Sequence, residues 1–106
     1  MNTNAKQEFL EHTEGMKVRC AKIRFNDGYY EEDRSTYILP VGYCPSDLKL
    51  FLKEIDHNYD SGFGGQELFG TIWYTDGTWS TRGEYDGSEW WEYHTCPEIT
   101  PDLLGD

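Results

Sequence analysis

The spacing Asp56-x-Asn58-x-Asp60-Ser61-Gly62, followed by Glu67, sets side-chain oxygens at positions 1, 3, 5 and 12 of a loop, the donor pattern of an EF-hand. Calcium needs only oxygen ligands about 2.3–2.6 Å away, so Asp56, Asn58, Asp60 and Glu67 are the metal-ligating candidates and calcium is the one cofactor suggested. Two departures weigh against it. Ser61 stands where the loop's glycine belongs, and a strand, not a helix, is expected after Glu67. The plainer reading is a polar, glycine-rich connector at a helix end, with no cofactor.

A second carboxylate pair, Glu84 and Glu89, falls directly opposite across a tight hairpin. Like charges at such a pair repel, and carboxylates about 5 Å apart are the arrangement of a retaining glycosidase. They flank an exposed turn with no cleft, so solvated edge residues are the simpler reading. Arg82 is expected between Thr71 and Trp91, stacked on the indole. His12, His57 and His94, with Cys20, Cys44 and Cys96, are too scattered for zinc, and there is no C-x-x-C pair. Gly62-x-Gly64-Gly65 follows a helix instead of opening one, so it cradles no phosphate. With no nucleophile–base pair and no dinucleotide fingerprint, the chain reads as non-enzymatic.

Charge is divided along the chain. Residues 1–53 hold eight acidic and eight basic side chains; residues 54–106 hold the other twelve acids and one base, Arg82, so the net −11 belongs to the second half. That half also holds Trp73, Trp79, Trp90 and Trp91. An acidic, aromatic surface attracts cations, basic proteins or sugars and repels nucleic-acid backbones. The length of 106 residues suits one domain, and 16% aromatics supply core area that a disordered chain lacks. Met1 to Gly15 is polar and no long apolar run exists, so neither a signal peptide nor a membrane span is expected. The expectation is a reducing cytoplasm and three free thiols.

The elements that must position these residues follow from periodicity. Residues 1–14 read as a tail or one loose amphipathic turn around Phe9 and Leu10. In strand 16–26 the apolar alternation at Met16, Val18 and Cys20 resumes one residue out of phase at Ala21, Ile23 and Phe25, which calls for a bulge between Cys20 and Ala21. The slip leaves Lys17 and Arg19, then Lys22 and Arg24, on the solvent side. Residues 35–39 form a second strand, ended by Pro40. Leu48, Phe51, Leu52 and Ile55 make one stripe of a helix over about 47–56, with Ser46 as its cap. Residues 16–57 thus read as strand–strand–helix.

Residues 68–95 read as a three-stranded meander, with strands at 68–75, 78–85 and 88–95 joined by Asp76-Gly77 and Asp86-Gly87. Two-residue loops would pair Gly70, Gly83 and Trp90 in one row, the indole lying over two glycines. They would also set Trp73 beside Ser80 and Tyr93, Arg82 beside Trp91, and Glu84 beside Glu89. One helix and a short strap at 96–106 cover only one face of such a sheet. Trp73, Arg82, Glu84, Glu89, Trp91 and Tyr93 are therefore the expected binding surface.

The run Gly64-Gly65-Gln66-Glu67-Leu68-Phe69-Gly70-Thr71-Ile72-Trp73, through Asp76-Gly77-Thr78-Trp79 to Arg82-Gly83-Glu84-Tyr85-Asp86-Gly87-Ser88-Glu89-Trp90-Trp91, resembles a family of small uncharacterised proteins of phages, prophages and environmental sequences. The resemblance covers roughly residues 58–98. It implies a phage-type accessory role and assigns no activity or site residue. The expected fold is α+β in one domain, order β-β-α-β-β-β, with an antiparallel sheet and its helix on one face. The expected function is binding of a protein partner through the acidic, aromatic C-terminal half, one version being an inhibitor whose carboxylates imitate nucleic-acid phosphates toward a basic protein. The rival is a small-ligand module, taking calcium at 56–67 or a glycan on the aromatic face. No direct nucleic-acid or membrane binding is expected.

Overall fold

A computed structural model describes residues 2–26, 34–60, 67–85 and 88–96. The order is β1 (Asn2–Asn4), α1 (Ala5–His12), β2 (Val18–Asn26), β3 (Arg34–Leu39), α2 (Pro45–Glu54), β4 (Asn58–Asp60), β5 (Leu68–Tyr74), β6 (Trp79–Tyr85) and β7 (Ser88–His94). The fold is α+β, as the sequence predicts. A five-stranded antiparallel sheet runs β3-β2-β5-β6-β7, and β1 pairs with β4 in a separate two-stranded ribbon. No helix among the described residues is long and apolar enough to cross a membrane.

The N-terminal segment differs from the expected tail. It contributes β1 and a second helix, α1. An eight-residue helix is marginal alone. This one is held at its start by Asn4, whose side chain accepts the Gln7 amide at 2.9 Å. It also buries Ala5 and Phe9, and Phe9 meets Phe51 of α2 edge-on at 5.5 Å. At α2, Pro45 occupies the first helical turn. Cys44, not Ser46, is the cap residue, and the Asp47 carboxylate accepts its backbone N–H at 3.1 Å. The predicted apolar stripe is present: Phe51 and Ile55 are buried, with Leu48 and Leu52 packed beside them.

Both helices lie on one face of the sheet. Ala21, Ile23, Phe25, Leu39, Leu68 and Ile72 fill that face, closed over by Phe9, Phe51, Ile55 and Tyr59. The bulge in β2 exists, but between Val18 and Cys20, slightly earlier than predicted. It turns Cys20 toward the open face beside Trp73, while Val18 packs against the core and Ala21 is buried within it.

The two hairpins differ. The second has the predicted register, with Gly83 opposite Trp90 and Glu84 opposite Glu89. The first is one residue off: Ile72 pairs with Ser80 and Trp73 with Trp79. Its loop has three residues, 75–77, because the Tyr74 N–H donates to the Thr78 carbonyl (2.9 Å) and the Gly77 N–H to the Tyr74 carbonyl (3.2 Å). Gly77 supplies the left-handed residue, φ +89°, that such a loop requires. The odd loop length turns β5 over relative to β6. Leu68, Gly70, Ile72 and Tyr74 therefore face the helices, and Phe69, Thr71 and Trp73 face outward. Gly70 is not in the row of Gly83 and Trp90; it lies opposite Ile23, where a Cβ would meet the Lys22 carbonyl oxygen at 2.6 Å.

Candidate binding surface

This inversion separates the expected binding residues into two sets. Arg82, Glu89 and Trp91 lie on the covered face beneath α1. The Arg82 side chain is 1% exposed, a charge that must be compensated on the spot. Its Nη1 donates to Glu8 Oε2 at 2.9 Å, and its Nη2 to the Tyr59 hydroxyl at 2.8 Å and to Glu89 Oε1 at 3.3 Å. The guanidinium sits 5.1 Å from the Trp91 ring centroid, the stacking read from the sequence. Glu89, also fully buried, accepts the backbone N–H groups of Glu67 (2.8 Å) and Leu68 (3.0 Å). The opposition of Glu84 and Glu89 is thus relieved by placing one carboxylate on Arg82 and two amides, while Glu84 stays exposed.

Tyr59 donates its hydroxyl proton to Glu8. Burial, reinforced by that bond, pushes its pKa well above the usual tyrosine value. One turn along α1, His12 Nε2 is 2.8 Å from the Ser80 hydroxyl, itself 2.8 Å from the Tyr74 hydroxyl. Burial is the main cause that lowers the His12 pKa, with Arg82 adding to it and Glu8 opposing. Ser80 beside a histidine has the composition of a nucleophile–base pair, but Ser80 is wholly inaccessible. What this layer does is fasten α1 to β6 and β7 through polar bonds. Tyr93 belongs to it in part: its ring stacks on His12 at 4.0 Å and its hydroxyl donates to the His12 carbonyl, yet it is half exposed at the sheet edge.

Of the metal candidates, the structure joins Asp56 and Asn58, but around an amide. Asn4 Nδ2 donates to Asp56 Oδ1 and to Asn58 Oδ1, each at 2.9 Å, filling the place between them. The Asp60 backbone pairs with Asn2 in the ribbon. The turn that an EF-hand loop needs, 61–66, lies outside the described residues, as does the Asp60 side chain. Glu67 sits beyond that gap at the foot of β5. Among the described residues, no three acidic, His or Cys side chains are grouped to hold a metal ion.

The open face is aromatic. Trp73 is 42% exposed, Trp90 37% and Tyr85 77%, with Trp79 and Phe69 half-buried between them. The Trp90 indole lies over Gly83 and donates from Nε1 to Glu92 Oε1 at 2.8 Å. Trp79 stacks on His94 (5.8 Å, 20°), and the Thr81 hydroxyl meets His94 Nε2 at 2.7 Å. Across β5, Lys22 and Arg24 border a depression of about 380 Å³ with Thr36, Phe69 and Thr71. The Arg24 guanidinium covers the Phe69 ring at 4.6 Å. Only Trp73 of the expected set belongs to this face. Trp79 and Trp90 are added by the register, and their signal, alternation with Thr81, Gly83 and Glu92, is present in the sequence.

No protein-family model, no curated protein and no solved structure matches this chain.

Proposed function

We propose that the protein is a non-catalytic binding module of the small phage-accessory kind, acting in a reducing cytoplasm, that engages a basic protein partner through the open face of β5, β6 and β7. One observation carries the reading: Trp73, Trp90 and Tyr85 stand exposed on a face that neither helix covers. Tryptophan and tyrosine are the residues that most often dominate binding energy at protein interfaces. The net charge of −11 favours a basic partner and steers its approach. Glu89 is unsuited to phosphate imitation, being committed to Arg82 and the Glu67 and Leu68 amides, whereas Glu84 and Glu92 reach the surface.

The test is capture of host proteins on immobilised full chain, compared with Trp73→Ala and Trp90→Ala. The partner should be lost with either variant, at a cost of about 2 kcal/mol or more each. Undiminished capture by both variants would refute the open face as the surface. One feature favours a second reading, a neutral glycan: Trp90 is held in place by Glu92, giving a fixed aromatic platform beside a carboxylate. Binding to a glycan array that ignores salt and needs Trp90 would select it.

A further inference from the structure

We propose that the outer edge of β7 is a strand-addition site for an extended segment of the partner, with basic and apolar residues alternating. This rests on the protein-partner reading and adds its mode of attachment. In an antiparallel pair, backbone N–H and C=O groups point alternately toward and away from the neighbour. The Tyr85–Ser88 pair closes the β6–β7 hairpin, so Ser88, Trp90, Glu92 and His94 bond toward β6. Glu89, Trp91 and Tyr93 then direct theirs outward, and β7 ends the sheet with no strand beyond it among the described residues.

Proteins blunt such edges with prolines, lysines, bulges, very short strands or inward-pointing charges; the one inward-pointing charge of β7, Glu89, is already compensated by Arg82 and the Glu67 and Leu68 amides. Over its seven residues β7 has no proline or lysine, and its pairing with β6 is unbroken from Ser88 to His94. The opposite edge, β3, is stopped by Pro40 and packs against α2. A second copy is a poor occupant, since each copy brings −11. The chain's own residues 97–106 are also unsuited by sequence, with Pro97, Pro101 and three acids but no base. A basic strand is complementary. On the open face its side chains would meet Trp90 and Glu92, whose side chain is 43% exposed; on the other they would meet Tyr93. Main-chain bonds give such complexes affinity and alternate side chains give specificity.

The experiment uses the full chain, isotope-labelled for NMR, with an end-capped alternating lysine–valine heptapeptide as probe. Amide exchange at Glu89, Trp91 and Tyr93 should slow about tenfold at saturation. Of two peptides N-methylated on alternate residues, only one should still bind, because only one set of peptide amides faces β7. Shifts confined to Trp73, Trp79 and Phe69, with those three amides exchanging as before, would overturn strand addition and leave face docking in place. Binding by both methylated peptides, or no response at millimolar probe, would also overturn it. So would protection that grows with protein concentration alone, which would make a second copy the occupant. The Trp73→Ala capture judges the face reading separately, because Trp73 lies on β5, two strands in from the β7 edge.

Discussion

Arg82 is the one base among twelve acids in its half of the chain, and the fold takes it inside. A buried ion pair is weak evidence of net stability, but breaking one is costly because the partner charge is left stranded. Arg82→Met leaves Glu89 and Glu8 facing Tyr59 and Trp91 without a cation. We expect a loss of about 3–5 kcal/mol in denaturant unfolding. Glu8→Gln should cost less, since Glu8 is partly exposed and the amide still accepts from Arg82. Two titrations follow from the same layer. His12 has a folded pKa below its unfolded 6.5, so its contribution is complete above about pH 6.5 and is lost as pH falls through the folded value. Tyr59 has a folded pKa raised above 10.0, so its contribution is complete below about pH 10 and is lost as pH rises beyond it. Melting temperature measured from pH 5 to 11 should therefore fall at both ends. His12→Gln should flatten the acid limb. Tyr59→Phe should reduce the alkaline one without abolishing it, because burial raises Tyr74 as well.

Turn chemistry decides which side chains share a face. Gly83→Val places a branched side chain where even a Cβ would be 2.7 Å from Trp90 Nε1 and from Glu92 Oε1. We expect about 1–3 kcal/mol of destabilisation and a change in tryptophan fluorescence as the indole is displaced. Asn4→Ala removes the α1 cap and the bridge to Asp56 and Asn58 together, with a cost of about 1 kcal/mol or more in the same unfolding assay. Because the Asn4 amide already takes both oxygens, melting curves of the unmodified chain in calcium and in chelator should coincide; a calcium-dependent rise would restore the metal reading. The same local chemistry explains what the sequence disclosed. The stripe of α2, the slip in β2 and the Asp86-Gly87 hairpin were legible because period and turn agreed. Asp76-Gly77 was not: the same dipeptide closes two- and three-residue loops, and the extra residue moved Trp73 away from Arg82 and Trp91. Helix α1 is not legible in the sequence because its stability is tertiary. Its one local signal, Asn4 three residues before Gln7, is a capping pattern that matters only once Phe9 finds Phe51.

Over the whole molecule, the division along the chain is not the division in space. The acidic half contributes three tryptophans to the open face, while the neutral half lends it Lys22 and Arg24. The long-range field is still set by −11, so the protein should not bind DNA or RNA at physiological salt, as judged by mobility shift. Detectable binding would show that Lys22 and Arg24 outweigh the field. For a protein complex the two influences separate kinetically. Exposed carboxylates accelerate encounter and are screened by salt, with a Debye length of about 10 Å at 0.1 M. Buried aromatics act on dissociation and are indifferent to it. Glu84→Gln with Glu92→Gln should therefore slow association at low salt and change little at high salt. Trp73→Ala should raise the dissociation rate at both. If Glu92→Gln alone instead dominates dissociation at high salt, that carboxylate, which shares the open face with Trp90, makes a direct contact in the complex, and imitation of a phosphate becomes the mechanism in place of steering.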